Sequence, residues 1–509
     1  MDTSLSPINS GGFGPAQARH LLLRAGFGGG PGEIACLAGM GPNRAVRSML
    51  DRSASSTDEP DPGGNPGGDP GGDPGVDPDV IRPPTREERE RFAKARHSND
   101  EAARSEVRRI LNERRAKDRR MLGNLRRWWV GLMIDTPTPL RENLVLFWHS
   151  HFASRHRNVR DTFLMYQQNQ LFREHAAGSF AELARAVVHD PAMLKFLNND
   201  QNNKRKPNEN LAREFMELFT LGEGHYTEND IKQGARALTG YFVEDNDFFF
   251  NKRRHDDARK TVLGKTGRLD GDDFVDVLLD QPSCPRYIAL KLYRHFVADV
   301  PDHLDELPGP NKAVVLRMAT MLRKNGYQIA PVLETLFKSR HFYDPKIVGQ
   351  KIKSPAQLVV DTSRTLGTPG PPTRSLGTLS DGLRAMGQDL FDPPSVAGWD
   401  SGRSWINTST LFTRQNVCTY LITGKDPRGK KWNRKQVRYD PMPLLAGITS
   451  REPRPVVDHV INFMLGDHTP QARREPLYRF MRERGKGVTA DSMIALLTLI
   501  TATPEYQLC

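Results

Sequence analysis

Residues 207–240 are the stretch of this 509-residue chain that most limits its possible folds. Apolar residues recur at helical spacing over 211–219, which predicts a helix with one buried face. After a glycine-containing loop, Thr227 is an N-cap and Asp230 follows three residues later, in a capping box with Asp in place of the usual Glu or Gln. A buried helix followed closely by a capped helix predicts a mainly helical core.

The same periodicity recurs along the chain, so we predict a mainly α fold built as one large multi-helix domain. Pro follows Thr138 and also Ser354, and each pair marks a helix start because Pro is favoured at the first helical position. Short aromatic runs near 241–265 predict a small β-hairpin or three-stranded element. The other predicted helices span 16–25, 42–50, 85–133, 161–175, 179–199, 272–279, 285–297, 312–325 and 329–339.

Two stretches interrupt this helical pattern. Residues 53–84 repeat a D/N-P-G-G unit with almost no large apolar residues, and such a segment cannot bury enough surface to offset its chain entropy. We predict a disordered acidic loop there; calcium binding is the alternative, although each unit offers only one carboxylate. The predicted order is an N-terminal helical segment (1–52), this insert, a helical core (85–424), a basic link (425–440) and a C-terminal helical segment (441–509).

The formal net charge of +12 is typical of proteins with a polyanionic ligand: nucleic acid, an acidic polysaccharide or an anionic lipid surface. The alternative is that arginine is simply the favoured surface cation. We prefer it, because no short block of Lys and Arg interleaved with aromatic residues occurs. The Arg-rich helix within 85–133 is the best nucleic-acid candidate, but its alternating charges are typical of an exposed helix with internal ion pairs.

The N-terminus lacks the charged start and apolar core of a signal peptide, and no window is apolar enough to span a bilayer. We therefore expect a cytoplasmic protein with no integral membrane association. The four cysteines lie far apart and form no C-x-x-C pair, which argues against a disulfide framework and a structural zinc site. The sequence also lacks the G-x-S-x-G, Walker and H-E-x-x-H motifs.

Two histidines in FWHSHF (147–152) are candidate metal ligands, since imidazole binds zinc, iron, copper and nickel. On the predicted helix His151 shares the apolar face, whereas His149 points nearly opposite. The two can bind one metal ion only if the helix ends near Trp148. The alternative for His151 is a hydrogen-bonded core histidine.

The helix predicted over 211–219 is called the central helix. Glu214 lies at the edge of its apolar stripe. A carboxylate in that position must find a partner or shift its pKa. We weigh two roles equally: a structural pair with Arg236, or a functional acid or metal ligand. Glu209, Arg213 and Glu217, spaced four apart, are expected to form an ion-pair ladder on the outer face.

His255 and Asp256 lie in a polar loop between the predicted strands, where a rigid scaffold often presents functional groups. A His beside carboxylates can serve as a general base or complete a His/Glu/Asp metal shell. A solvated turn that caps its own backbone is the alternative. With a divalent transition metal as candidate cofactor, we predict Glu214, His255 and Asp256 as catalytic residues and His149, His151, Glu214 and His255 as metal ligands.

Three segments carry a family resemblance: FWHSHF at 147–152, the stretch at 207–240, and RRHDDARKTVLGKTG at 253–267. They resemble the uncharacterised bacterial family catalogued as domain of unknown function 1800, over nearly the whole chain apart from the D/N-P-G-G insert and the basic link. Genes of that family commonly lie beside genes of another uncharacterised family, which is similar to sulfatases and alkaline phosphatases and often carries an export signal. The resemblance thus implies a sulfatase-like partner and export together with it.

These observations support three functions, in descending order. The first is an enzyme whose pocket contains His151, Glu214 and His255 with Asp256, and which performs metal-assisted hydrolysis or redox chemistry. The second is a non-catalytic binding or assembly partner of an exported sulfatase-like protein. The third is nucleic-acid binding through the Arg-rich helix.

Overall fold

The computed structural model describes residues 1–54, 85–97, 100–367, 375–425, 439–484 and 487–509. Within these ranges the chain forms 21 α-helices and four short strands, which confirms the predicted mainly α fold with small β elements. The insert predicted at 53–84 and the basic link predicted at 425–440 lie almost wholly outside the described residues.

Most of the helices are connected by short loops. In the first half of the chain they are α1 Pro15–Ala25, α2 Pro31–Ala54, α3 Arg86–His97, α4 Glu101–Asp135, α5 Pro139–His151, α6 His156–Val159, α7 Thr162–Glu174, α8 Phe180–Val188, α9 Pro191–Phe196, α10 Asn210–Glu214 and α11 Glu228–Ala237. The later helices are α12 Gly271–Asp280, α13 Ser283–Phe296, α14 Gly309–Lys324, α15 Ile329–Lys338, α16 Pro355–Thr365, α17 Leu376–Ala385, α18 Thr408–Thr423, α19 Pro453–Met464, α20 Gln471–Glu483 and α21 Ala490–Thr501.

Two antiparallel hairpins lie between α11 and α12. The first pairs β1 (Tyr241–Glu244) with β2 (Asp247–Phe250), and the second pairs β3 (Lys260–Val262) with β4 (Lys265–Gly267). In each hairpin the two linking residues have positive φ, the backbone that two-residue type I′ turns require. The sequence offered one hairpin or one three-stranded element; two separate two-stranded sheets form instead.

The helical body has an extensive apolar core in which large aromatic side chains are fully enclosed. Trp129 of α4 and Trp148 of α5 are completely buried. Their indole N–H groups donate to the Glu142 carboxylate (2.9 Å) and to the Ala176 carbonyl oxygen (2.8 Å), so neither is left unsatisfied. Among the helices just given, none combines the length and the hydropathy that crossing a bilayer requires.

The start of α16 is fixed by a local cap and by a buried ion pair. Ser354 is the N-cap, as predicted, and forms a capping box with Gln357. Immediately before it, the Lys353 Nζ lies 2.7 Å from the Asp361 carboxylate, with 0% and 5% of the two side chains exposed. The same ammonium lies 4.0 Å from the centre of the Tyr506 ring, so this pair ties the end of the chain to α16.

The Arg-rich helix α4 carries ion pairs along its exposed surface. Arg109 lies 2.8 Å from the carboxylates of both Glu106 and Glu113. Farther along, the Asp118 carboxylate lies 3.0 Å from the His156 Nε2. The C-terminal half of α4 then buries an apolar face in the core. Arg109 and its two glutamate partners thus follow the expected pattern of an exposed helix with internal ion pairs, whereas Arg108, Arg115 and Arg119 form no ion pair with a described residue.

Candidate functional site

A cavity of about 860 Å³ lies along helices α5 and α13. Each helix presents one face to it, at the spacing of three or four residues that places side chains on one side of a helix. Ile288, Leu292 and Phe296 of α13 are instead buried in the core. The residues that face the cavity from these two helices include Asn143, Phe147, Ser150 and His151 of α5 and Arg286, Tyr287, Lys291, Arg294 and His295 of α13.

His295 is held in one orientation by Asn143. The Asn143 Nδ2 lies 3.0 to 3.1 Å from the carbonyl oxygens of three successive residues, 24–26, at the end of α1. Carbonyl oxygens only accept hydrogen bonds, so the amide orientation is fixed and the Asn143 Oδ1 accepts from the His295 Nε2 at 2.8 Å. Burial lowers the pKa of His295 to about 3, which keeps the ring neutral with its proton on Nε2.

Lys291 stands one helical turn before His295 on the same face of α13. Its Nζ lies 4.9 Å from the centre of the Tyr287 ring, and the Tyr287 hydroxyl donates to the Leu218 carbonyl oxygen at 2.9 Å. The Lys291 amine forms no ion pair with any described residue. Burial lowers the pKa of Lys291 to about 8, and the Arg294 charge acts in the same direction. A substantial fraction of the amine is therefore neutral near physiological pH.

His151 lines the cavity but is also bonded within the core. Its Nε2 lies 3.0 Å from the Phe219 carbonyl oxygen, and only 7% of the residue is exposed. Burial lowers its pKa to about 3, and the positive charge of Lys291 contributes. His151 is therefore a hydrogen-bonded core histidine, the alternative considered from the sequence. Its ring also borders the cavity.

The central helix widens after Glu214. α10 continues as a π-helical turn over Phe215–Thr220, in which the Leu221 N–H donates to the Met216 carbonyl oxygen five residues back. A π-helical turn holds more residues than an α-helical turn, so the side chains after Glu214 point in different directions from those of a regular α-helix. Such turns occur frequently at functional sites.

The π-helical turn changes the role of Glu217. The predicted ladder of Glu209, Arg213 and Glu217 forms only in part, because Arg213 binds Glu209 (3.3 Å) and Glu228 (2.9 Å). Glu217 instead accepts a hydrogen bond from the Tyr226 hydroxyl at 2.6 Å and lines the cavity. The prediction for Glu217 was wrong because it assumed regular α-helical geometry.

Glu214 is half-buried beside the π-helical turn and is not part of the cavity lining. It has no hydrogen bond or ion pair in the described part of the chain, and the expected pair with Arg236 does not form. Burial raises the pKa of Glu214 to about 6, and the neighbouring charge of Glu217 adds to the effect.

His255 and Asp256 lie together near the first hairpin, apart from the cavity lining. The His255 Nδ1 lies 2.8 Å from the Thr239 carbonyl oxygen. The Asp256 carboxylate accepts two hydrogen bonds from Arg236, at 2.7 and 3.3 Å. The loop is thus bound to the end of α11, and the structure does not bring its residues to His151.

The predicted metal ligands are not brought together. α5 continues through His151, so the condition for a His149/His151 pair, a helix end near Trp148, is not met. His149 is fully buried among aromatic rings, and burial lowers its pKa to about 3. Across the described ranges, no group of three or more His, Cys, Asp or Glu side chains is placed to hold a metal ion. The set His149, His151, Glu214 and His255 is therefore not assembled as a site.

The polar stripe of α13 was not predicted as part of a site. A signal was present, because Tyr287, Lys291 and His295 recur every four residues opposite an apolar stripe. The same pattern is typical of a solvent-exposed helix face. Only the placement of α5 and the loop at 391–407 turns this face into a cavity wall.

The loop at 391–407 closes over the cavity beside α5. Trp399 and Trp405 contribute to its lining. Gly398 has φ +85°, and a Cβ atom there would lie 2.1 Å from the Ser150 carbonyl oxygen. Only glycine therefore allows the loop to lie directly on α5.

No curated protein and no solved structure matches this chain. A family model described as "Protein of unknown function (DUF1800)" matches residues 20–508, a range that includes α5, α13 and all three segments singled out in the sequence. The chain belongs to the DUF1800 family.

Proposed function

We propose that this protein is a hydrolase that binds an anionic small molecule in the α5–α13 cavity and uses Lys291 for proton transfer. One observation carries the proposal. The amine of Lys291 lines a cavity of about 860 Å³ and has no ion-pair partner among the described residues. The volume lies within the roughly 300 to 1,000 Å³ of typical small-molecule sites.

The cavity lining contains several donors that suit an anionic ligand. Two buried glutamines present amide groups whose oxygen atoms are already used: the Gln357 Oε1 accepts from the Ser354 N–H and the Gln388 Oε1 from the Ala356 N–H, at 3.0 and 2.8 Å. Their NH₂ groups remain to donate to a ligand. Together with Lys291, they favour a carboxylate or phosphate group.

Carboxylates also line the cavity, and some of them are neutralised. Asp305 binds Lys312 at 2.7 Å, and Asp302 lies 3.9 Å from Arg294. Glu217, by contrast, forms no ion pair with a described residue and accepts a hydrogen bond from the uncharged Tyr226 hydroxyl. The cavity is therefore mixed in charge, as expected for a ligand that carries an anionic group beside hydroxyl or amide groups.

Lys291 suits the proton transfers of hydrolysis because its pKa lies close to the working pH. The neutral amine takes a proton from the attacking water, and the resulting ammonium returns that proton to the leaving group. His295, one turn away, has a bare Nδ1 that can accept a hydrogen bond from the same water or from the substrate. This route uses only groups of the cavity wall, whereas the metal-assisted reaction expected from the sequence needs donors that the described residues do not bring together.

The test begins with Lys291 itself. Competitive acetylation followed by mass spectrometry gives the pKa of each lysine, and we expect Lys291 to react with a pKa of about 8. A thermal-shift screen of phosphorylated and carboxylated compounds, with ester and phosphate hydrolysis assays, then identifies the ligand class. General acid–base groups contribute roughly 10²- to 10⁴-fold, so Lys291→Met should lose at least about 10²-fold in rate while Lys232→Met keeps the wild-type rate. An ordinary pKa for Lys291 together with no stabilising ligand would overturn the proposal.

A second role, as a partner of an exported sulfatase-like protein, is favoured by one surface feature. Helices α18 and α21 pack against each other and expose Phe412 (69%), Leu411 (43%) and Leu499 (39%). Exposed apolar groups of this kind are typical of protein interfaces. We expect a sulfatase-like protein encoded nearby to co-purify with the wild type and not with Leu411→Glu/Phe412→Glu; equal recovery with both would remove this role. We propose that such a complex forms in the cytoplasm and is exported as a unit.

A further inference from the structure

Two basic loops that are far apart in the sequence meet beside the first hairpin. The backbone N–H of Lys204 donates to the Arg254 carbonyl oxygen at 2.9 Å. Each loop carries three exposed cations, and we call the six together the basic patch: Lys204, Arg205, Lys206, Lys252, Arg253 and Arg254. None of the six forms an ion pair with another described residue. The patch therefore concentrates positive charge that is not neutralised within the described part of the protein.

On the Arg-rich helix α4 some cations are paired, whereas Arg108, Arg115 and Arg119 are exposed and form no ion pair with a described residue. There, Arg109 is paired with two glutamates, and Arg114 lies 3.1 Å from Glu88. From the sequence, no short block of cations interleaved with aromatic residues was expected. Three phenylalanines at 248–250 do precede the cations at 252–254, and folding adds the second run of cations at 204–206 to them.

One exposed and one partly buried aromatic ring border the basic patch. Phe242 and Phe249 face each other across the hairpin, with ring centres 5.2 Å apart, and Phe249 is 45% exposed. The Arg254 guanidinium of the basic patch lies 5.3 Å from the centre of the Phe242 ring. The aromatic pair thus adjoins the basic patch at Arg254.

We propose that the basic patch and Phe249 bind single-stranded nucleic acid. Phosphate groups would contact the cations, and a base would stack on the exposed Phe249 ring, the combination used by proteins that bind single strands with little sequence preference. A duplex is less suitable because its bases are already stacked.

The charge distribution on the hairpin separates this ligand from a membrane. Glu244 and Asp247 lie opposite each other in the strand register. Because side chains alternate along a strand, these two carboxylates lie on the same face as Phe242 and Phe249. A flat anionic bilayer against this face would also meet those two carboxylates. Asp245 at the turn is exposed as well. A single strand is narrow enough to cross the basic loops at one end of the hairpin and avoid the acidic turn at the other end.

The test uses the full chain and a fluorescein-labelled oligothymidine of about 20 nucleotides, with binding followed by fluorescence anisotropy. Neutralising four to six phosphates gives a salt dependence with a slope of about −0.7 per contact, so raising the salt from about 50 to 200 mM should weaken binding roughly 50- to 300-fold. Failure to bind at the lower salt concentration would overturn the proposal.

Variants locate the site. Removing three of six contacts in Lys204→Ala/Arg205→Ala/Lys206→Ala should reduce the salt slope by about half, and Phe249→Ala should weaken binding roughly tenfold through lost stacking. The matched controls replace exposed residues elsewhere. Arg108→Ala/Arg115→Ala/Arg119→Ala on α4 removes the same number of cations, and Phe412→Ala on α18 removes another exposed aromatic ring.

Each outcome has a defined meaning. Loss of affinity in the patch variants alone supports the proposal. An equal loss in the α4 control means that net charge alone governs binding, and this contradicts a built site. Binding to phosphatidylserine vesicles or heparin in place of the oligonucleotide would also overturn it. Because Lys291 lies outside this surface, Lys291→Met should bind the oligonucleotide normally, and the inference stands or fails independently of the hydrolase proposal.

Discussion

Replacing Lys291 by Met should make the protein more stable at neutral pH. The fall in the pKa of this amine from 10.5 to about 8 corresponds to roughly 3 kcal/mol at about 1.4 kcal/mol per pKa unit. The amine borders a cavity and keeps some solvent contact, which reduces the figure to about 1–2 kcal/mol. A lysine whose folded-state pKa is lowered weakens the fold in full below that pKa, and the effect disappears as the pH rises toward the unfolded-state value. The stabilisation by Met should therefore be largest near pH 7 and should shrink toward about pH 10.

Urea unfolding followed by tryptophan fluorescence measures this effect, since Trp129 and Trp148 are buried in the core. The informative quantity is the difference in unfolding free energy between Lys291→Met and wild type, compared at about pH 7 and pH 10. Lys232→Met, at an exposed position of α11, is the matched control. A Lys291→Met protein that is less stable than wild type at both pH values would show that the ammonium holds the structure together, and would refute our account of the cavity.

Three other predictions follow from buried groups. Asn143→Asp places a carboxylate against His295 and should raise the pKa of that imidazole by roughly 1–3 units, which nuclear magnetic resonance of the ring measures directly. Lys353→Met leaves the buried carboxylate of Asp361 without its partner and should lower the unfolding free energy by about 3–5 kcal/mol, whereas Lys353→Met/Asp361→Leu should recover most of the loss. Because the pKa of Glu214 is raised to about 6, the folded state loses stability as the pH rises from 4.5 through 6; Glu214→Gln should therefore be about 1 kcal/mol more stable near pH 7 and equal to wild type near pH 4 by the same urea assay. Equal stability at both pH values would contradict this account of Glu214.

Helix starts were predictable because they depend on neighbouring residues. Thr227 and Asp230 form the predicted capping box at the start of α11, and Ser354 caps α16. Thr138 is the exception: α5 begins at Pro139, but the Thr138 side chain makes no capping hydrogen bond and pairs with the Thr136 hydroxyl at 3.0 Å. Local spacing thus located the helix start, while the partner of the side chain depended on its surroundings.

The candidate site was predictable only in part, because it depends on contacts between distant segments. His151 was selected from the sequence and does line the cavity, whereas Glu214 does not. Arg236, the expected partner of Glu214, binds Asp256 instead, twenty residues along the chain. No helical periodicity indicates which of two carboxylates an arginine binds.

Because of the π-helical turn at Phe215–Thr220, the number of residues in this turn determines which side chains line the cavity. Its extra residue sets which carboxylate of the central segment points at the cavity, here Glu217. Deleting one residue of this turn would restore regular α-helical winding and rotate every later side chain of the segment. Relatives of this protein therefore have to be compared here by residue count before residue identity, because a difference of one residue moves the acidic group without any substitution.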